Sequence, residues 1–191
     1  MGTLLYLRML NTNFIIEHNQ THHKWVGTPL DPASAKLGED VYSFGVKSVI
    51  YSQIDGFKVE KERVQKTSPN LSSIELFAKN RVVQLKLLEL VFLGGVFYFW
   101  GAKVLIYQIV HSLIEAFLLE IINYIEHYGL RRKEIAPGMR ILSLGKYERV
   151  SYRHSWNAAH RWTNALLYKL QRHSDHHIEG TKPYQALIST E

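Results

Sequence analysis

Six of the ten histidines in this chain stand in two short clusters. "EHNQTHH" holds His18, His22 and His23, and "QRHSDHH" holds His173, His176 and His177. Residues of an α-helix advance by about 100° each. His173, His176 and His177 therefore share one face. His18 and His22 also share a face, with His23 turned to the side. Stacked imidazoles make a poor core, because each ring needs partners for two nitrogens and protonated rings repel one another. A metal resolves both problems, since neutral imidazole is a good ligand for iron, zinc and copper. The competing reading is a solvated, pH-responsive histidine patch.

A seventh imidazole, His127 in "NYIEHYGL", follows a long apolar stretch, with Glu120 and Glu126 close by in sequence. A carboxylate that accepts a ring N–H orients a ligating histidine and raises its basicity. Glu120, Glu126 and Asp175 are candidates for that task, against the plainer reading of solvated helix charges. His111 lies inside the apolar stretch and outside any motif, and is read as a packed or pore-facing residue.

Composition narrows the chemistry. Cysteine is absent from the 191 residues, which removes disulfides, thiolate zinc sites and cysteine nucleophiles. Any metal must be held by imidazole and carboxylate. Hydrophobic residues are 46% and aromatics 12%, so the chain can bury a core. The formal charge of +6 admits nucleic acid, a membrane surface or an acidic partner. Nucleic acid is set aside, because the basic residues flank apolar segments and form no recognition motif. The opening "MGTLLYLRMLNTNFIIE" has no basic leader and is interrupted by Arg8, so it does not read as a cleavable signal peptide.

These side chains need elements to position them. Asp31 followed by Pro32 reads as an N-cap and first helical residue. "YSQIDGFKVEKERVQKTSP" reads as a charged surface helix or loop that stops near Pro69. Residues 82–124 are apolar, with only Lys86, Glu89, Lys103, Glu115 and Glu120 charged. A bilayer span needs about 20 mostly apolar residues, so the stretch predicts a transmembrane hairpin of 82–99 and 104–124. Trp100 and Lys103 suit its far turn. Lys58, Lys61, Arg63, Lys66, Lys79 and Arg81 precede it, and Arg131, Arg132, Lys133, Arg140 and Lys146 follow it. Positive flanks put both outer ends, and both histidine clusters, on the cytoplasmic side. One long buried helix, or a single tilted span, is the alternative.

In order and form, "EHNQTHH", "NYIEHYGL" and "LQRHSDHH" resemble the second histidine box, the HYG motif and the last histidine box of the membrane alkane hydroxylases. These are the alkane 1-monooxygenases of the integral-membrane fatty-acid desaturase and hydroxylase superfamily. "TPLDPASAKLGEDVYSF" and "HSWNAAH" also look like family sequence. The resemblance implies an all-α integral-membrane helical bundle with a cytoplasmic histidine-rich cap, and a partial desaturase-like catalytic domain over 1–191. It implies two non-haem irons held by His18, His22, His23, His127, His173, His176 and His177, with His154 and His160 near the site.

The activity implied is insertion of one oxygen atom of O₂ into the terminal C–H of an alkane or alkyl chain. Electrons would come from a rubredoxin-type donor with its reductase, and membrane lipid would surround the protein. Arg131, Arg132 and Lys133 are candidates for steering that acidic donor. A fatty-acyl desaturase or lipid hydroxylase with the same iron site is the nearest alternative. A zinc hydrolase ranks low, because seven candidate ligands exceed what one four-coordinate zinc needs. The family's upstream HExxH-type box has no counterpart here. The expectation is therefore a C-terminal part of a family member, and an inactive truncated membrane remnant that binds metal weakly or not at all is a further reading.

Overall fold

Helices supply nearly all the regular structure in the computed structural model, which describes residues 2–135 and 146–189. Arg140, one of the flanking cations, lies outside the described residues. In chain order the helices are α1 (Gly2–Arg8), α2 (Phe14–Glu17), a π-helical turn (His18–His22), α3 (His23–Trp25), α4 (Val41–Thr67), α5 (Ser73–Lys79), α6 (Arg81–His127), α7 (Arg161–Leu166) and α8 (His173–Ile178). Two short 3-10 turns, Tyr152–His154 and Tyr184–Ala186, complete them. Among the described residues the β-structure is a single bridge, Glu134 to Tyr147. The all-α expectation holds.

The chain divides into two compact units. The first comprises the residues up to Thr21 together with Gly45–Glu120, and the second comprises His22–Phe44 with the segments from Ile121 onward.

Helix α4 ends at Thr67, near the expected stop at Pro69, but it starts earlier than the charged segment and buries one face. Asp40 caps it, its Oδ1 accepting from the backbone N–H groups of Tyr42 at 3.0 Å and Ser43 at 2.9 Å. Within the first unit, Gly45, Ser48, Ser52, Gly56 and Glu60 recur every three or four residues and so line one face. Ser48 and Glu60 are fully buried there. A Cβ at Gly45 would stand 2.6 Å from the Phe117 ring, and one at Gly56 would stand 2.3 Å from Asn13 Oδ1. Small residues let backbones approach, the packing that helices use in lipid. The charged letters of this segment concealed that seam.

Helix α6 is 47 residues long, and its backbone leaves the helical region at Gly101 (φ 78°, ψ −179°). That conformation is open essentially to glycine alone. The two arms fold back on one another, as their contacts with residues 8–12 require. Glu89 Oε1 accepts from Thr12 N at 2.9 Å and from Thr12 Oγ1 at 2.6 Å. On the other arm, Ser112 Oγ and Gln108 Nε2 each donate to Arg8 O at 2.7 Å, and Glu115 pairs with the Arg8 guanidinium. A straight helix would separate Glu89 from Ser112 by about 34 Å. Four residues of chain reach only about 14 Å. His111 is held beside this cluster, with Nδ1 3.3 Å from Glu115 Oε2.

The arms present their apolar side chains outward. Helix α6 is the one described helix long and apolar enough to cross a membrane, and only 17% of its most apolar window is buried. A core helix of a soluble protein would be mostly covered.

The second unit is tied by polar contacts. Arg132 Nε donates to Glu148 O at 2.7 Å and Nη1 to Lys24 O at 2.8 Å, while Arg132 N donates to Gly27 O at 2.7 Å. Asn157 and Ser174 exchange two hydrogen bonds, of 2.7 and 3.0 Å, that fix the start of α8. Among its described residues the buried apolar side chains are Val26, Ala33, Ala35, Phe44 and Leu187.

Candidate metal centre

Helix α6 ends on His127, the π turn ends on His22, and α8 carries His173 and His177. All four side chains are buried, and one nitrogen from each lies within 4.8 Å of the others. His173 Nε2 is 3.1 Å from His127 Nε2 and 2.9 Å from His177 Nε2. Glu126 Oε2 approaches the same His173 nitrogen at 3.2 Å. An Nε2 offers one proton or one lone pair, so hydrogen bonding cannot serve all three neighbours. A cation can. Two donors at right angles, each about 2.1 Å from a common ion, stand about 3.0 Å apart, so the spacings fit a shared metal.

The outer nitrogens are aimed as ligation needs. His22 Nδ1 lies 2.9 Å from Asp31 Oδ2. Asp31 Oδ2 also accepts from Ser34 Oγ at 2.5 Å, and its Oδ1 from Ala33 N at 3.1 Å. Burial acts to raise the Asp31 carboxyl, but the His22 imidazole and the Ser34 hydroxyl hold it below the ordinary value. An Nδ1–H donated to Asp31 leaves His22 Nε2 as a lone pair. His127 Nδ1 is 3.4 Å from both His154 O and Ser155 Oγ, which fixes its ring in the same sense.

Asp31 is not the helix cap that its sequence suggests. No helix starts there: the chain runs through turns to Asp40, and Asp31 is buried against His22. Pro32 after Asp31 fits a turn as well as a helix start, and only the fold sets Asp31 beside a histidine nine positions earlier.

The π turn corrects a second expectation. A regular α-helix would turn His23 away from His22. A π turn closes i to i+5 and shifts the phase of the residues after it. His22 and His23 consequently both face His177, at ring-centroid distances of 4.8 and 4.5 Å. His23 Nε2 also meets His176 Nε2 at 3.0 Å, forming a second, less buried nitrogen pair. Burial, followed by the nearby His176 and His22, pushes His23 down to about 3. Burial likewise lowers His176, and it lowers His177 further. These rings are neutral at pH 7, as ligands must be.

The remaining candidates divide. His18 belongs to the first unit, where its ring stacks on Phe14 at 4.9 Å. Glu120 is buried in that unit as well. His154 serves the centre by its carbonyl, while its ring accepts from Ser151 N at 2.9 Å and lies 3.3 Å from Glu148. The His160 ring is exposed, and its carbonyl accepts from Asn164 N at 3.0 Å to begin α7. Asp175 holds Lys182 and the backbone N–H of Ile188, each at 2.9 Å, instead of an imidazole. Of the three basic residues after the HYG motif, Arg132 is engaged inside the unit, while Arg131 and Lys133 stay exposed.

Residues 2–189 match the family described as fatty acid desaturase. The chain belongs to that family. Among curated members it is 35% identical over 175 residues to alkane 1-monooxygenase 1 of Alcanivorax borkumensis, covering 92% of this chain and 41% of that protein. It is 38% identical to the alkane 1-monooxygenase of Acinetobacter baylyi, covering 92% of this chain and 40% of the relative. It is also 28% identical to the xylene/toluene monooxygenase hydroxylase component XylM of Pseudomonas putida, over 94% of this chain and 44% of the relative. The chain thus spans less than half the length of the family members it matches.

Proposed function

We propose that this chain carries the histidine centre of a membrane monooxygenase that hydroxylates the terminal carbon of an alkane or alkyl chain. The observation that supports it is the buried convergence of His22, His127, His173 and His177 in a sequence similar to alkane 1-monooxygenases. On this reading His22, His127, His173 and His177 hold one iron. His23 and His176 serve a second, with His18 added by its motif. Bound iron would supply the activation of O₂.

The chain's own residues do the rest. Asp31 holds His22 in one tautomer, and the His154 carbonyl does so for His127. Glu126 keeps a carboxylate oxygen at the His173 nitrogen, where it can ligate or hold a proton. Burial of all four rings keeps water from competing for the centre.

The arms 82–99 and 104–124 are, on this reading, antiparallel membrane spans whose outer ends lie in the cytoplasm. A rubredoxin-type protein with its reductase delivers electrons from that side. Because the chain lacks cysteine, single cysteines at positions 101 and 133 report topology cleanly. They should label from opposite sides of intact vesicles, and labelling from one side rejects the spans.

The decisive assay is alcohol formation from octane by the purified, iron-loaded protein with rubredoxin and its reductase. Two irons per chain and 1-octanol would support the reading. Product from acyl lipids alone would move the assignment to a lipid hydroxylase or desaturase, and an iron-free protein would reject the centre.

A further inference from the structure

The first unit holds a cleft that the proposed oxidation does not use. It is a cavity of about 290 Å³ between the end of α4 and the start of α6, with Arg63, Thr67, Ser68, Lys79, Arg81 and Gln84 in its lining. The charged groups of that lining are all cations. The nearest acid, Glu60, is fully buried and already committed. It takes Arg63 Nε at 2.9 and 3.0 Å and Nη2 at 2.8 Å, and the backbone N–H of Arg81 at 3.4 Å. Arg63 is thereby fixed in direction. Glu75 is also committed, closing a capping box with Ser72. Thr67 Oγ1 donates to the carbonyls of Arg63 and Val64, so Ser68 is the lining hydroxyl available to a ligand.

Position identifies the ligand. Arg81 is the first residue of α6, and the apolar arm begins with the next. Leu87, Leu88, Leu90 and Val91 on that arm are 41 to 66% exposed. A concave cationic site at the foot of an outward-facing apolar helix presents the two halves of an acidic lipid: an anionic headgroup and acyl chains. A cleft for a free anion would have no use for the arm.

We propose that this cleft binds the phosphate of an anionic phospholipid whose acyl chains run along the 82–99 arm. The proposal rests on the membrane reading of α6. Arg63 and Arg81 offer planar, multidentate donors to phosphate oxygens, while Lys79 adds a point charge. The device anchors the foot of one arm to the lipid surface.

The test uses the protein in nanodiscs of mixed phosphatidylglycerol and phosphatidylcholine, with retained lipids counted by native mass spectrometry. Wild type should retain phosphatidylglycerol selectively. Lys79→Gln/Arg81→Gln should weaken that retention by about 25-fold, at about fivefold per cation. Lys58→Gln/Lys61→Gln removes equal charge from α4 outside the cleft and should leave it intact. Should the double variant fail to fold, Arg81→Lys should keep most of the retention while Arg81→Gln alone loses about fivefold.

Equal loss in both double variants would overturn the cleft in favour of diffuse charge. Displacement by inorganic phosphate as effective as by short-chain phosphatidylglycerol would make it a free-anion site and overturn the lipid. A membrane-embedded protein with no lipid preference would overturn this proposal and leave the membrane reading standing. Recovery of wild type in the soluble fraction would remove both.

Discussion

His22 Nδ1 stands 2.9 Å from Asp31 Oδ2, with both side chains closed to solvent. The carboxylate selects the tautomer that leaves His22 Nε2 able to ligate, and its charge raises the basicity of the ring. Asp31→Asn keeps the shape and loses the charge. Iron affinity of the purified protein, titrated against a competing chelator, should fall about 10 to 100-fold. An unchanged affinity would show that the pair only shapes the turn.

His173 and His160 both come from histidine-bearing motifs, yet the fold separates their fates. His173 is buried among three candidate donors, and the ring of His160 is exposed. His173→Ala should reduce bound iron by at least the 10 to 100-fold typical of outer-ligand losses. His160→Ala should leave it within about twofold, as surface substitutions do. Metal analysis of the two variants decides it, and equal losses would refute the division.

Acid should destabilise the metal-free protein through its neutral imidazoles. The folded-state values of His23, His176 and His177 lie below the ordinary 6.5, and burial is the leading cause in each. The unfolded chain therefore binds more protons below about pH 6.5, for His23 down to about 3, and stability falls as pH falls through that range. Above pH 7 this contribution is complete and flat. Glu126, which burial raises to about 8, opposes this with a contribution that grows as pH falls from 8; thermal unfolding in detergent should show a midpoint that drops from pH 6.5 toward 4, where the several rings outweigh the one carboxyl. A midpoint rising over that range would contradict the burial of these rings.

Gly101 and Gly94 lie on the same long element but should respond oppositely to alanine. Gly101 has φ 78° and ψ −179°, so a side chain there costs about 1–3 kcal/mol. Gly94 is helical, with nothing within 4 Å of an added Cβ, and Gly94→Ala should gain about 1 kcal/mol from helix propensity. Unfolding of the two variants side by side checks the fold-back. Equal effects would mean that Gly101 is not the turn.

Much of the candidate centre was legible because clustered histidines at helical spacing stand out in a sequence. His22, His127, His173 and His177, picked out by those clusters and the HYG motif, do gather. The rest depended on phase and on distant pairing. His23 looked misdirected because periodicity assumes 3.6 residues per turn, and the π turn breaks that count. Asp31 looked like a cap because Asp-Pro serves turns and helix starts alike. The α4 seam was hidden because charge on one face says nothing of glycine and serine on another. Gly101 was only one small residue in the expected 100–103 turn, and its backbone angles made it the pivot.

The interior of the second unit carries a consequence for the living cell. Among its described residues five apolar side chains are buried, two of them alanines, beside the buried imidazoles and carboxylates. On the proposed reading, a metal bound among these buried imidazoles would supply part of the unit's folding energy. When iron is scarce, newly made chains would open this unit more often and be cleared by proteases, since one or two kcal/mol can change abundance several-fold. The amount of this protein would then follow the iron supply without a dedicated sensor. Pulse-chase turnover under iron limitation should show faster loss of this protein, and the His173→Ala chain should be short-lived whatever the iron level.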